Sequence, residues 1–158
     1  MIASTTTRAH IYQLSPMWET INSSVPSLQA YHVGVEVYGS EYTFQLIYDE
    51  PDGTGVVVCK PTQAVGYIFK ESIDLGNTSL SQEDVKNVLD SMADKWISKE
   101  YHPTRRNCVD FSRALITALR VGQLPSWVSL AADVSKEGGV VGWLAELSWD
   151  SIKWYYGI

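Results

Sequence analysis

Residues 31–44, "YHVGVEVYGSEYTF", decide the fold because they read as two short strands joined by a tight turn. Apolar residues alternate along the first strand, as is typical of a half-buried β-strand, at Val33, Val35 and Val37. Gly39 and Ser40 predict a two-residue turn of type II′, which favours glycine first. The opposite face begins with His32, and this raises the question of which residue elsewhere in the chain contacts the imidazole.

The other predicted elements divide the chain into a β-rich first half and a helical second half. Strand patterns occur at 9–14, 55–60 and 65–70. Helices are predicted after a cap at Ser79 or Ser81, after Asn107, over 124–134 and over 139–158, with Gly122 ending the second. This order predicts an α+β fold, in which a β-hairpin-rich N-terminal half packs on a C-terminal helical half.

Composition excludes several classes of function. The chain has 158 residues, of which 45% are hydrophobic and 19% charged, so we expect one globular domain over 1–158. The net charge of −6 disfavours nucleic acid or anionic lipid as a partner. No apolar run is long enough for a membrane span or a secretory signal. Only two cysteines occur, so we expect a reducing compartment, cytoplasm or nucleus.

Cys108 is the candidate partner for His32, 76 positions earlier in the chain. Asn107 is a preferred N-cap residue, which places Cys108 in the first turn of a helix. Free N–H groups and the helix dipole at that end favour a thiolate, and a neighbouring imidazole could shuttle its proton. Asp110 acts slightly against the thiolate. The alternative is that Cys108 is a small core residue and His32 a satisfied strand histidine.

The hairpin and the later "NCVDFS", residues 107–112, together resemble the PPPDE family, which are permuted-papain-fold cysteine peptidases that include desumoylating isopeptidases. The resemblance extends to "IYQL", to "LGNTSLSQEDVKNVLDSM" and to "LRVGQLPSWVSLAA". It covers about residues 9–132, and 133–158 would be a C-terminal helical extension. It implies a circularly permuted papain-like fold.

The resemblance also implies a catalytic dyad. His32 matches the histidine of the family's H-x-G-[IV]-x-V-Y-G motif, and Cys108 matches the cysteine of its N-C-N-x-F-S motif. The implied reaction removes ubiquitin or a ubiquitin-like modifier such as SUMO from protein lysines. Cys108 would attack as thiolate beside the His32 imidazolium. No cofactor is expected, and the oligomeric state is left open.

Two further residues are candidates for supporting roles. Asn107 fits the cysteine motif, and Gln13 could be a second oxyanion donor beside the Cys108 N–H. The Gly34 backbone would suit close approach of a Gly-Gly tail. Two departures from the family pattern are Val109, where an asparagine is usual, and "FQLIYDE", where two glycines are usual.

Other interpretations remain open. The same thiol could hydrolyse a palmitoyl thioester, or the domain could bind a modifier without cutting it, as Val109 allows. The lecithin-retinol acyltransferase group ranks low because no second histidine follows His32 closely.

The other candidate residues are weaker. His10 and His102 are weaker candidates for the base, and Cys59 is expected to lie outside the site. Glu36 would lie roughly 13 Å along the strand from His32, too far to orient it. No metal site is predicted.

Overall fold

The computed structural model describes residues 4–14, 29–139, 146, 149–150 and 153–154. Within them the chain is α+β, with a five-stranded antiparallel sheet and three α-helices. The strands are β1 (Thr6–Gln13), β2 (Tyr31–Val37), β3 (Ser40–Phe44), β4 (Val56–Cys59) and β5 (Ile68–Asn77). The helices are α1 (Gln82–Ala93), α2 (Cys108–Leu119) and α3 (Ser126–Lys136), with a short 3₁₀ turn at Ser98–Glu100. The α+β prediction is confirmed.

The sheet runs in the order β4-β3-β2-β1-β5, so β2 is its central strand. Helix α2 packs against β2 and β3. The core between them is fully buried and includes Val33, Val35, Phe44, Phe111, Leu115 and Leu119. Burial of these side chains provides most of the favourable free energy of folding, and it fixes α2 across the strand that carries His32.

The β2–β3 hairpin turns one residue earlier than predicted. Tyr38 and Gly39 both have positive φ, 51° and 77°, and Val37 pairs with Ser40. Two residues in the left-handed region define a type I′ turn instead of type II′. The Tyr38 phenol donates a hydrogen bond of 2.7 Å to the Leu80 carbonyl, which helps to hold this residue in its unusual conformation.

The outer strands differ from prediction. The pattern at 65–70 predicted only the beginning of β5, which continues along β1 to Asn77. The strand pattern at 55–60, whose run of valines is typical of a buried strand, forms β4, which is an edge strand with Val58 exposed. An edge strand lacks a neighbour on one side, and its hydrophobic pattern alone does not reveal this.

The helix ends follow capping chemistry. Ser81 caps α1 and Asp84 completes the capping box, so one of the two predicted caps is confirmed. Helix α2 ends at Arg120, whose φ and ψ are 58° and 42° in the left-handed region. The predicted stop at Gly122 is therefore two residues late, and the Gly122 N–H instead donates to the Leu75 carbonyl at 2.8 Å.

The predicted terminal helix over 139–158 falls mostly outside the described residues, although Glu146, Trp149, Asp150, Lys153 and Trp154 have helical conformation. Within the described part of the chain, no helix combines the length and apolarity needed to cross a bilayer.

The end of α2 generates a stability prediction. Arg120 is exposed and left-handed, a conformation that costs most residues energy and glycine almost none. We expect Arg120→Gly to raise the free energy of unfolding by about 0.5–1 kcal/mol in urea titrations. The control Ala114→Gly, at an exposed helical site in α2, should lower it by about 1 kcal/mol. A loss of stability in Arg120→Gly would contradict this assignment.

Candidate active site

The N-terminus of α2 is held by Asn107. Its Oδ1 accepts hydrogen bonds from the Val109 and Asp110 N–H groups at 3.0 and 3.1 Å. Its Nδ2 donates to the Pro103 carbonyl at 2.7 Å, and the Asp110 carboxylate accepts from the Asn107 N–H at 3.0 Å. The amide of Asn107 is thus used in capping, which supports the site by fixing the first helical turn.

The first turn of α2 lies against the residues on either side of His32. The Cys108 Sγ donates to the Tyr31 carbonyl at 3.9 Å. One turn later, the Ser112 hydroxyl donates to the Val33 carbonyl at 3.5 Å. Two contacts that bracket one residue determine both the position and the direction of the helix end. The fold therefore brings Cys108 to the part of β2 that carries His32.

The His32 imidazole is packed among aromatic rings. It is 1% exposed and stacks on Tyr67, with centroids 3.8 Å apart and planes within 2° of parallel. The Tyr12 ring lies on the neighbouring strand, with its centroid 5.8 Å from that of His32. The His32 Nε2 atom has no hydrogen-bond partner among the described residues. Among the described residues, packing against these two rings sets the plane of the imidazole, since no acid or amide is bonded at Nε2.

Tyr67 links the two candidate catalytic groups. Burial raises the pKa of its phenol, and the charge of the Cys108 thiolate raises it further. The ring that stacks on His32 therefore also lies within electrostatic reach of the Cys108 sulfur.

Burial decides the protonation of both groups. It lowers the pKa of His32 to about 3, and it raises the pKa of Cys108 to about 11. Backbone groups of Val33, Val109 and Cys108 favour the thiolate but do not outweigh the loss of hydration. Both shifts favour the neutral thiol and the neutral imidazole at neutral pH, so the ion pair that the family resemblance implies stays a prediction.

Gln13 lies at the end of β1, directly opposite Tyr31 in the strand register. Tyr31 is the residue whose carbonyl accepts from the Cys108 thiol. The side chain of Gln13 is exposed. The register thus places an exposed amide at the end of the sheet where Cys108 lies.

The space beside Gly34 is occupied. A Cβ built on Gly34 would lie 2.0 Å from Oε1 of Glu41, a residue that is itself 1% exposed. The close approach that glycine permits here is made by this buried carboxylate, so the expectation that a substrate tail fills it is wrong.

His10, one of the weaker candidates for the base, is buried in β1. Its Nδ1 pairs with the Ser72 hydroxyl at 2.8 Å, and its Nε2 with the Glu36 carboxylate at 2.9 Å. Arg8 adds a contact of 3.6 Å to Glu36. Glu36 thus supports His10 and not His32.

The remaining candidates, His102 and Cys59, each make contacts with residues that lie next to them in the fold. His102 is buried in the turn before α2 and bonds to Thr104 and Arg105. Cys59 is half-buried on β4 opposite Glu41, and burial followed by the Glu41 charge raises its pKa. Within the described ranges no three His, Cys, Asp or Glu side chains gather as metal ligands would.

Sequence reasoning missed three residues around His32, namely Tyr12, Glu41 and Tyr67. The available signal was Gly34, because glycine within a strand indicates that another group approaches its backbone closely. The sequence did not show which group, since that requires the register between β2 and β3.

The low pKa of His32 generates a prediction about acid stability. The ordinary imidazole pKa of about 6.5 applies to the unfolded chain, so this group stabilises the fold above pH 6.5 and loses that contribution as pH falls toward 3. Between pH 7 and pH 5, wild-type protein should lose on the order of 2 kcal/mol more unfolding free energy than His32→Gln, whose amide does not titrate. Identical losses in the two proteins, measured by urea unfolding, would show that His32 titrates normally.

Residues 5–144 match the family model described as "PPPDE putative peptidase domain". The chain is 30% identical over 136 residues to a desumoylating isopeptidase 1 homolog of Caenorhabditis elegans, which covers 83% of this chain and 39% of that protein.

Two DeSI-like proteins are also similar. One from Arabidopsis thaliana is 29% identical over 104 residues, covering 66% of this chain and 46% of its own length. The protein sdu1 of Schizosaccharomyces pombe is 30% identical over 103 residues, covering 65% and 51%. The chain spans about half, or less, of the length of these curated relatives. Because the family model covers most of the sequence, this chain belongs to the PPPDE peptidase-domain family.

Proposed function

We propose that this protein is a cysteine isopeptidase with a permuted papain-like arrangement, in which Cys108 is the nucleophile and His32 the general base and acid. The observation that carries the proposal is the docking of the N-terminal end of α2, through Cys108 and Ser112, on the carbonyls of Tyr31 and Val33, the two neighbours of His32. Membership of a peptidase family and similarity to a desumoylating isopeptidase homolog support the same reaction class.

The reaction begins from the neutral pair. His32 takes the proton of the Cys108 thiol while Sγ bonds to the scissile carbonyl carbon, which leaves the negative charge on the carbonyl oxygen. The imidazolium then gives its proton to the lysine amine as the C–N bond breaks. A water molecule next loses a proton to His32 and attacks the thioester, and the departing thiolate takes that proton back.

A neutral resting pair is consistent with this chemistry. The buried site disfavours both charges separately, so the thiolate and imidazolium form together only when the carbonyl is in place to accept the attacking electrons. Cys108 is 5% exposed, so the thiol is largely shielded from water before substrate binds. Such a site limits reaction of the thiol with other solutes.

The oxyanion would be bound by two donors. The Asn107 cap accepts from the N–H groups of Val109 and Asp110, and the Cys108 N–H lies beside its own thiol. We propose this N–H as one donor and the exposed Gln13 amide, opposite Tyr31, as the other.

We propose that the substrate is a protein conjugated to a ubiquitin-like modifier, with SUMO as the first choice and ubiquitin as the second. A desumoylating isopeptidase homolog among the relatives supports this class. Val109 does not argue against this substrate class, because its side chain is 3% exposed and packs in the hydrophobic core. Its replacement of the usual asparagine therefore acts on packing first.

Protein S-acyl hydrolysis is the second candidate. Trp127 packs edge-on against Tyr31 with centroids 5.3 Å apart, and Ile68 pairs with Gln13. Both side chains are exposed and apolar. They provide hydrophobic surface beside the proposed site, which a palmitoyl chain requires and a glycine tail does not.

A labelling experiment tests the dyad. SUMO and ubiquitin carrying a C-terminal propargyl group should form a covalent adduct at Cys108, and Cys108→Ala should form none because it lacks the sulfur. His32→Ala should label at least about 100-fold more slowly, because base catalysis contributes this much. Cys59→Ser is the matched control and should react as wild type does, since Cys59 lies on β4. Adduct formation unchanged by His32→Ala would contradict the proposed dyad.

Parallel turnover assays with SUMO, ubiquitin and palmitoyl-thioester reporters identify the substrate class. Turnover of the thioester alone would replace the isopeptidase by the S-acyl hydrolase, and turnover of none would favour a modifier-binding module.

The role of Gln13 is testable by separate kinetics. Gln13→Ala should lower kcat by about 100-fold with little change in KM, since an oxyanion donor acts only in the transition state. Gln123→Ala, at an exposed position between α2 and α3, is the control and should not change kcat. A wild-type kcat in Gln13→Ala would exclude this amide as the donor.

A further inference from the structure

The buried carboxylate of Glu41 on β3 is the least expected group near His32. Burying a carboxylate is unfavourable unless it is well hydrogen-bonded, and Glu41 is 1% exposed. Burial raises its pKa, while its hydrogen bonds from Tyr12 and Thr62 act in the opposite direction. Its carboxylate fills the space over Gly34, two residues from His32 on the same strand face.

Glu41 holds one ring that contacts His32 directly. The Tyr12 phenol donates to both carboxylate oxygens, at 2.8 and 2.7 Å. Tyr12 lies opposite His32 in the β1–β2 register, with ring centroids 5.8 Å apart. Its position against the imidazole therefore depends on the acceptor at Glu41.

Glu41 also holds the segment that carries the second ring. The Thr62 N–H donates to the Glu41 carboxylate at 2.8 Å. Tyr67 lies five residues later and stacks on the imidazole at 3.8 Å. Tyr12 and Tyr67 contact each other as well, with centroids 6.4 Å apart. One carboxylate thus holds the Tyr12 ring directly and the segment that leads to the Tyr67 ring.

We propose that Glu41 is a positioning residue for His32, acting through the Tyr12 phenol and the Thr62 amide. Because the imidazole has no partner at Nε2 among the described residues, its plane is set by contact with the Tyr12 and Tyr67 rings. Glu41 holds the first ring directly and the second through the segment that begins at Thr62. Glu41 touches neither the thiol nor the substrate in this scheme. The catalytic part of the inference rests on the proposed function, whereas the orientation of the imidazole does not.

The test uses variants that separate orientation from folding. Tyr12→Phe keeps the ring and removes its hydrogen bond to Glu41. Its control is Tyr38→Phe, which removes a phenol hydrogen bond of 2.7 Å at the far end of β2. Glu41→Leu removes the acceptor, and Glu41→Gln restores one. The control for the acid is Glu36→Leu, on the adjacent strand, where the carboxylate supports His10.

Two readouts are measured on folded protein below the melting temperature of each variant. The first is the rate at which propargyl-modified SUMO or ubiquitin labels Cys108. The labelling rate should fall at least about 10-fold in Tyr12→Phe and Glu41→Leu, because a small misplacement of a catalytic group slows the reaction strongly. Glu41→Gln should recover most of the labelling rate. Tyr38→Phe and Glu36→Leu should stay within about twofold of wild type even where they lower stability.

The second readout is the NMR chemical shift of the His32 ring protons, which senses stacking on Tyr67 and needs no substrate. These shifts should move in Tyr12→Phe and Glu41→Leu but not in the two controls. Wild-type shifts in folded Tyr12→Phe would overturn the inference. If wild-type protein labels with neither modifier, the proposed function fails, while the shifts still decide the role of Glu41.

Discussion

The structure depends on the docking of one capped helix end against one strand. Asn107 fixes the first turn of α2. Cys108 in that turn and Ser112 one turn later contact the Tyr31 and Val33 carbonyls on either side of His32. A residue at a helix start and a residue at a strand start are each held more precisely than loop residues. The cysteine and histidine are therefore placed by the hydrophobic core itself, because the same helix and strand supply its central side chains.

This placement also removes water from both groups. An exposed cysteine at a helix start tends toward thiolate, but burial here outweighs the helix dipole and the nearby N–H groups. The imidazole is shielded by Tyr12 and Tyr67 and favours its neutral form for the same reason. In the proposed mechanism this resting site has low intrinsic reactivity, and charge separation follows only when a scissile carbonyl is bound.

Much of this arrangement was predictable from sequence because it rests on local rules. Alternation marked β2, and the Asn107 cap marked the start of α2. Resemblance to a known family then connected His32 with Cys108, although they are distant in sequence. The contacts around Glu41 were not predictable, because they depend on the β2–β3 register and on the Tyr38–Gly39 turn that sets it. The burial of His10 was missed for a similar reason, since only pairing of β1 with two neighbours encloses it.

The most direct test is the ultraviolet absorbance of the Cys108 thiolate as a function of pH, taken as the difference between Cys59→Ser and the double variant Cys59→Ser/Cys108→Ala, because the nine tyrosines also absorb when they ionise. A neutral resting pair predicts no thiolate step in this difference near neutral pH and a rise only in the alkaline range, toward about pH 11. Thiolate absorbance already present at pH 7, and lost on His32→Ala, would show a preformed ion pair and contradict the neutral resting pair.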